Sequence, residues 1–204
     1  MMKLLYADAS PFARKVTVLV HELGLKDKVE LAVLTSNPIT PNPALVAANP
    51  VAKLPSLLLD DGSSLYDSRV ICEYLASLVP GSAIFPAPGA DRWTALRRQS
   101  LGDAVMDAAV LTRYLSTLPP AEKRWDEMIK AQLGKVAGAL DVAEAEAPSF
   151  GNRFDIGTIT VGCALGYLDF RFGDMGWRKT RPALTKWFEA FAARPAMAAT
   201  APKG

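Results

Sequence analysis

The chain has 204 residues, 50% hydrophobic and 22% charged, with 23 Lys and Arg against 21 Asp and Glu, two Cys and one His. The length allows one large domain or two small ones, each able to bury a core, and the apolar content excludes intrinsic disorder. A net charge of +2 with no block of like charges gives no electrostatic footprint for nucleic acid or a lipid surface. One His and two distant Cys, Cys72 and Cys163, cannot supply a structural zinc site, so no metal is expected.

The apolar stretch before Asp8 is too short for a signal-peptide core. No segment approaches the roughly 18 apolar residues that span a bilayer. With no disulfide framework, the expected setting is a reducing cytoplasm, and both Cys read as small buried apolar residues.

Lys3 to Tyr6 predict a first strand. After the turn at Asp8-Ala9-Ser10-Pro11 the period becomes helical, with Phe12, Val16, Leu19, Val20 and Leu23 on one face, Ser10 as N-cap, Pro11 at the first position and Gly24 as the stop. Val29 to Leu34 predict a second strand, parallel to the first. Five prolines between Ser36 and Pro55 leave room for one helical turn at Ala44 to Ala47. Leu57-Leu58-Leu59, Asp60-Asp61-Gly62 and Ser64-Leu65-Tyr66 predict a hairpin, followed by a helix with Val70, Ile71, Tyr74, Leu75 and Leu78 on one face.

Pro80-Gly81 and Pro86-Ala87-Pro88-Gly89 bracket a linker. Beyond it the pattern is helical throughout. One face is predicted at Trp93, Leu96, Leu101, Ala104, Ala108, Leu111 and Leu115, a second at Trp125, Ile129, Leu133, Val136 and Leu140. A third helix follows in Ile156 to Phe170, and a last one opens at Pro182 before Leu184, Trp187, Phe188 and Phe191. The expected division is residues 1–79 as an α/β domain, 80–90 as linker and 91–204 as an all-α domain.

Three features of the first domain carry chemistry. Ser10 places a hydroxyl at a helix N-terminus. Alone it reads as an N-cap, but with the dipole and free N–H groups it can also stabilise an anion such as a thiolate. It is not a His-activated nucleophile, because His21 lies about 16 Å along the same helix. Lys53-Leu54-Pro55 opens the third strand; if the Leu54–Pro55 bond were cis, the backbone of Leu54 would face outward to pair with an extended peptide. Asp67-Ser68 starts the next helix, as caps or as a zwitterion site in which Ser68 holds a carboxylate and Asp67 an ammonium.

The order β-α-β-α-β-β-α before an all-helical domain, with Ser10-Pro11-Phe12, Asn49-Pro50, Lys53-Leu54-Pro55 and Asp67-Ser68 at their spacings, resembles the glutathione S-transferases, in particular a serine-type, theta-like bacterial branch. The resemblance covers essentially the whole chain. It implies a thioredoxin-like N-terminal domain with a cis Pro55, a C-terminal helical domain that shapes the second-substrate pocket, and a homodimer. It also implies glutathione as co-substrate, with Ser10 activating the thiol, the Leu54 backbone pairing with the cysteinyl unit, Asp67 and Ser68 gripping the γ-glutamyl headgroup, and Lys53 and Arg69 assisting. The reaction implied is conjugation of the thiolate to a small hydrophobic electrophile. A glutathione-dependent isomerase or peroxidase and a non-catalytic ligand-binding member are the alternatives.

Departures from the family pattern are visible. Tyr6 is a second candidate activator, and Ser10 stands where thiol-disulfide branches carry Cys. Ala52 replaces a frequent Gly. Thr158 lacks the carboxylate that would answer Asp155 in a capping box, which predicts a slightly weakened helix there. Phe12, Met106, Val110, Arg113 and Tyr114 are candidates to line the electrophile pocket, while His21 reads as a solvent or interdomain residue.

Overall fold

The computed structural model of the chain describes residues 1–202 and groups them in two units, residues 1–85 with the segment from Pro195 onward, and residues 86–194. The first unit runs β1 (Met2–Tyr6), α1 (Pro11–Glu22), β2 (Val29–Val33), α2 (Pro43–Ala48), β3 (Ser56–Leu58), β4 (Ser64–Leu65) and α3 (Ser68–Ser77). The second holds α4 (Ala90–Thr117), α5 (Asp126–Phe150), α6 (Ile156–Arg171) and α7 (Pro182–Ala192), and α8 (Pro195–Ala199) returns to the first.

The four strands form one mixed sheet in the order β2-β1-β3-β4, with β1 parallel to β2 and antiparallel to β3, and β3 antiparallel to β4. Consecutive side chains of a strand point to opposite faces, and Leu4 and Leu5 are both buried, so helices cover both faces. Leu5 packs with Leu45 and Ala48 of α2. Helices α1 and α3 pack on each other, burying Val16, Leu19, Ile71 and Leu75. Helix α8 lies against α1, where Arg14 Nη2 donates to the Met197 carbonyl at 3.0 Å.

In the second unit the main contact is α4 on α6. Two glycines allow the close approach: a Cβ on Gly157 would lie 2.5 Å from the Ala95 carbonyl oxygen, and one on Gly102 would lie 2.9 Å from the Thr160 backbone. The buried residues of α4 are therefore Ala95, Arg98, Gln99, Gly102, Asp103, Val105, Met106, Ala108, Ala109 and Thr112, which share only Ala108 with the face predicted from its large apolar residues. Trp93, Ala104 and Leu111 are exposed. A face that meets another helix this closely selects small side chains, so hydrophobicity alone misled the assignment. Val70, predicted on the core face of α3, points to solvent.

Arg98, buried on α4, donates from Nε to Glu146 at 3.0 Å and from Nη2 to Ser149 at 2.6 Å, and its guanidinium lies 4.6 Å above the Phe150 ring. Glu144 caps α7, accepting the N–H groups of Ala183 and Leu184 at 3.0 and 2.7 Å. Among the described residues no helix is long and apolar enough to cross a membrane.

Candidate functional site

Sheet register gathers the three chemical features at one end of the first unit. Leu5, near the end of β1, pairs with Ser56, the first residue of β3, and Leu57 pairs with Leu65, the last residue of β4. The chain leaving β1 for Ser10, the chain entering β3 from Leu54 and the chain leaving β4 for Asp67 thus share one edge of the sheet. Antiparallel pairing alternates strand ends in this way, and sequence spacing could not reveal it.

Ser10 caps α1 in extended conformation, φ −81° and ψ 117°. Its N–H donates to the Ala7 carbonyl at 2.9 Å, and its Oγ accepts the N–H of Ala13 at 3.2 Å. Because that hydroxyl is used as an acceptor, its proton is still available for an anion. The capping role and the chemical role coexist in one group.

Asn49 organises the entry to β3. Its buried amide donates from Nδ2 to the Lys53 carbonyl at 2.9 Å and to Ser56 Oγ at 3.2 Å, while Oδ1 accepts the N–H of Val51 at 3.1 Å. Ser56 Oγ donates in turn to the Lys53 carbonyl at 3.1 Å. The Leu54–Pro55 peptide is cis. Leu54 is half-buried, and its backbone N–H and C=O have no hydrogen-bond partner among the described residues. Ala52 sits at φ +52°, the left-handed region, which gives a physical reason for glycine at that position.

Asp67 is the N-cap of α3, with one carboxylate oxygen accepting the N–H of Arg69 at 2.8 Å. Ser68 is buried at the first helical position, and Lys53 is exposed. The arrangement offers a carboxylate beside the free N–H groups of a helix start, complementary to an ammonium and a carboxylate on one headgroup.

Tyr6 faces elsewhere. It lines a cleft of about 140 Å³ in the first unit with Ala7, Asp8, Arg14, Thr17, His21, Leu31 and residues 199–201; Ser10 is not part of its lining. Burial raises the Tyr6 hydroxyl above its ordinary pKa, and the charge of Asp8 and a hydrogen bond to it add to the rise. Burial, helped by Lys26, lowers the His21 imidazole.

On α4, Met106 is fully enclosed, Val110 half-buried and Arg113 exposed, each about one turn after the last, and Tyr114 is half-buried; Phe12 of the first unit is half-buried. Helix α6 ends with Tyr167 and Arg171, which sequence reasoning did not select. The available signal was a Tyr and an Arg four residues apart at the end of an otherwise apolar helix. Among the described residues no group of three or more His, Cys, Asp or Glu is placed to hold a metal ion.

A four-stranded thioredoxin-like sheet with this edge, followed by a helical unit, defines the glutathione transferase fold. Residues 9–78 match the family model "Glutathione S-transferase, N-terminal domain" and residues 108–190 match "Glutathione S-transferase, C-terminal domain". The chain belongs to the glutathione S-transferase family. A glutathione transferase family member from Pseudomonas fluorescens Pf-5, solved with bound glutathione, is 43% identical over the whole of both chains, with a TM-score of 0.98. A structure of a glutathione transferase family member from Pseudomonas fluorescens Pf-5 with bound S-(propanoic acid)-glutathione is 42% identical, again over all of both chains, at TM-score 0.92. The uncharacterized GST-like protein YibF of Escherichia coli K12 is 29% identical over 98% of each chain.

Proposed function

We propose that the protein is a glutathione transferase that conjugates the glutathione thiolate to a small hydrophobic electrophile. The observation that carries this reading is the single sheet edge where a helix-capping hydroxyl, an unpaired Leu54 backbone and the Asp67-Ser68 helix start come together. Binding of glutathione and of a glutathione thioether by the Pseudomonas proteins supports it.

In this reading Asp67 takes the γ-glutamyl ammonium, Ser68 and the N–H groups behind it take the α-carboxylate, and Leu54 pairs with the cysteinyl backbone, with Lys53 assisting. The Ser10 hydroxyl donates to the sulfur. A donor that strengthens its bond as the sulfur becomes anionic, together with the positive end of α1, lowers the thiol pKa from about 8.5 towards neutrality. The thiol proton passes to water, and a sulfur lone pair forms the new C–S bond. The leaving group departs with the electrons of the bond it loses. The protein contributes positioning and charge stabilisation, with no covalent intermediate of its own. Tyr6, which lines a cleft that Ser10 does not join, is not assigned the activating role.

In the same reading the helical unit supplies contacts to the electrophile through Val110 and Arg113, and the enzyme works as a cytoplasmic homodimer. Calorimetry with millimolar glutathione tests the core of the proposal. A measurable binding heat is expected; its absence overturns the assignment. Light scattering that returns the monomer mass removes the dimer.

A further inference from the structure

The cleft beside Tyr6 lies wholly within the first unit, lined from the end of β1, from α1, from β2 and from residues 199–201, and none of Ser10, Leu54, Asp67 and Ser68 takes part in it. Its volume of about 140 Å³ is well above the roughly 10–15 Å³ that a single water fills, so it has room for a molecule of several heavy atoms. Two opposite charges line it, Asp8 and Arg14.

Arg14 is only 6% exposed, and its guanidinium is held between α1 and α8 by the bond from Nη2 to the Met197 carbonyl at 3.0 Å. Its Nε is buried and has no hydrogen-bond partner among the described residues. A buried donor left unpaired costs about 1–3 kcal/mol, more on a charged group, and ordinarily finds an acceptor. The Thr17 hydroxyl, in the same lining, is turned to the Arg14 carbonyl at 3.0 Å. Asp8 is the only acid in the lining, yet it forms no ion pair with Arg14; its carboxylate meets the Tyr6 hydroxyl and has acceptor sites to spare. His21 adds no charge at pH 7, because burial, helped by Lys26, holds the imidazole below its ordinary 6.5.

The cleft thus carries one cation and one anion that do not satisfy each other. A simple anion would meet Arg14 and be repelled by Asp8, and a simple cation would meet the reverse. A molecule bearing both charges answers both, with a carboxylate for the guanidinium and an ammonium for the acid. We infer that this cleft binds a small zwitterion, a free α-amino acid, whose carboxylate accepts the Arg14 Nε–H and whose ammonium donates to Asp8. Leu31, 41% exposed, is the only large aliphatic side chain in the lining and suits a short apolar side chain on the ligand. The site is distinct from the one proposed for glutathione and does not depend on it.

The probe is L-alanine, titrated at millimolar concentration into the full chain by calorimetry, with acetate and ethylammonium as molecules that carry one charge each. L-alanine is expected to bind saturably, and each single-charge probe about tenfold or more weaker, the scale of a charge-assisted contact. Asp8→Asn keeps the shape of an exposed side chain and should weaken L-alanine about tenfold or more, as should Arg14→Gln. Asp67→Asn, at the other candidate zwitterion site, should leave L-alanine binding unchanged. If Arg14→Gln loosens the fold through its contact with Met197, seen as a lowered melting temperature, Asp8→Asn decides alone.

No binding of L-alanine, acetate binding as tightly as L-alanine, or L-alanine binding that survives Asp8→Asn overturns the inference. Loss of L-alanine binding in Asp67→Asn with Asp8→Asn unaffected assigns the amino acid to the start of α3 and overturns it as well. A chain that binds L-alanine in this pattern but shows no heat with glutathione would end the transferase reading and leave this site standing.

Discussion

Asp155 and Thr158 cap each other at the start of α6: the Asp155 carboxylate accepts the N–H of Thr158 at 2.9 Å, and Thr158 Oγ1 accepts the N–H of Asp155 at 3.1 Å. The missing carboxylate at position 158 therefore does not weaken this helix start, because a threonine hydroxyl reaches back to close the box. The same hydroxyl can donate to the Arg153 carbonyl, at 3.2 Å, which fixes the chain before the helix. Both residues are buried, so water cannot replace either partner. Asp155→Ala should cost about 1–2 kcal/mol, and Thr158→Val, which keeps the shape but not the hydroxyl, about 1 kcal/mol or more, read as shifts in urea midpoint.

Two glycines separate helix propensity from packing. Gly138 lies in α5 with open space around its Cα, so Gly138→Ala should stabilise by about 0.5–1 kcal/mol. Gly157→Ala has the same propensity gain but must push against the Ala95 carbonyl oxygen and the Arg98 Cβ, and should lose roughly 1–3 kcal/mol net. Thermal melts of the two variants should move in opposite directions. A Gly157→Ala protein as stable as the parent would contradict the close approach of α4 to α6.

Ser10→Ala separates binding from activation. It removes a cap worth about 1 kcal/mol and, in the proposed mechanism, the donor to the sulfur, for which a loss of about a hundredfold in kcat is expected. Affinity for glutathione should hold within a few-fold. The rising limb of the pH–rate profile should move towards the free-thiol value of about 8.5. Unchanged turnover would remove Ser10 from the mechanism.

Glu146 provides a pH test of the helical unit. Its carboxyl is held below its ordinary 4.5, chiefly by the hydrogen bond from Arg97 and further by Arg98, with burial working against them. A group whose pKa is lower folded than unfolded contributes stability above the unfolded value and loses it as pH falls through the folded one. Glu146→Gln should therefore destabilise at pH 7, by about 1–3 kcal/mol through weakened support of buried Arg98. The gap from the parent should shrink below about pH 4, in urea titrations at each pH. A gap independent of pH would mean that the ion pair contributes nothing beyond packing.

The sequence carried the elements whose signals are local. Pro11 behind Ser10, Asp67 before Ser68 and the turn at Asp60-Asp61-Gly62 mark α1, α3 and the hairpin, and each forms where its residues predicted. The α4 face failed because close helix packing selects glycine and alanine and admits a paired arginine, while Trp93 is left 70% exposed. The Ala52 conformation was only hinted at by a family habit of glycine. Grouping of the segment from Pro195 with the first unit depends on contacts such as Arg14 with Met197, 183 residues apart in the chain, to which no periodicity points. In the candidate site the residue types were legible, but their meeting at one sheet edge follows from strand register, and Asn49 had appeared only as half of a dipeptide.

Strand β4 is two residues long, joined to the sheet through Leu57–Leu65 and Leu58–Ser64, and it delivers Asp67 to the edge. A ladder so short opens at a small fraction of the free energy that holds β1 between its neighbours. The Asp67-Ser68 half of the candidate site thus hangs from the shortest ladder of the sheet, while the Ser10 half follows its central strand. A ligand that bridges the two would act as the missing length of β4, and amide hydrogens around Ser64 and Leu65 would record its arrival by exchanging more slowly.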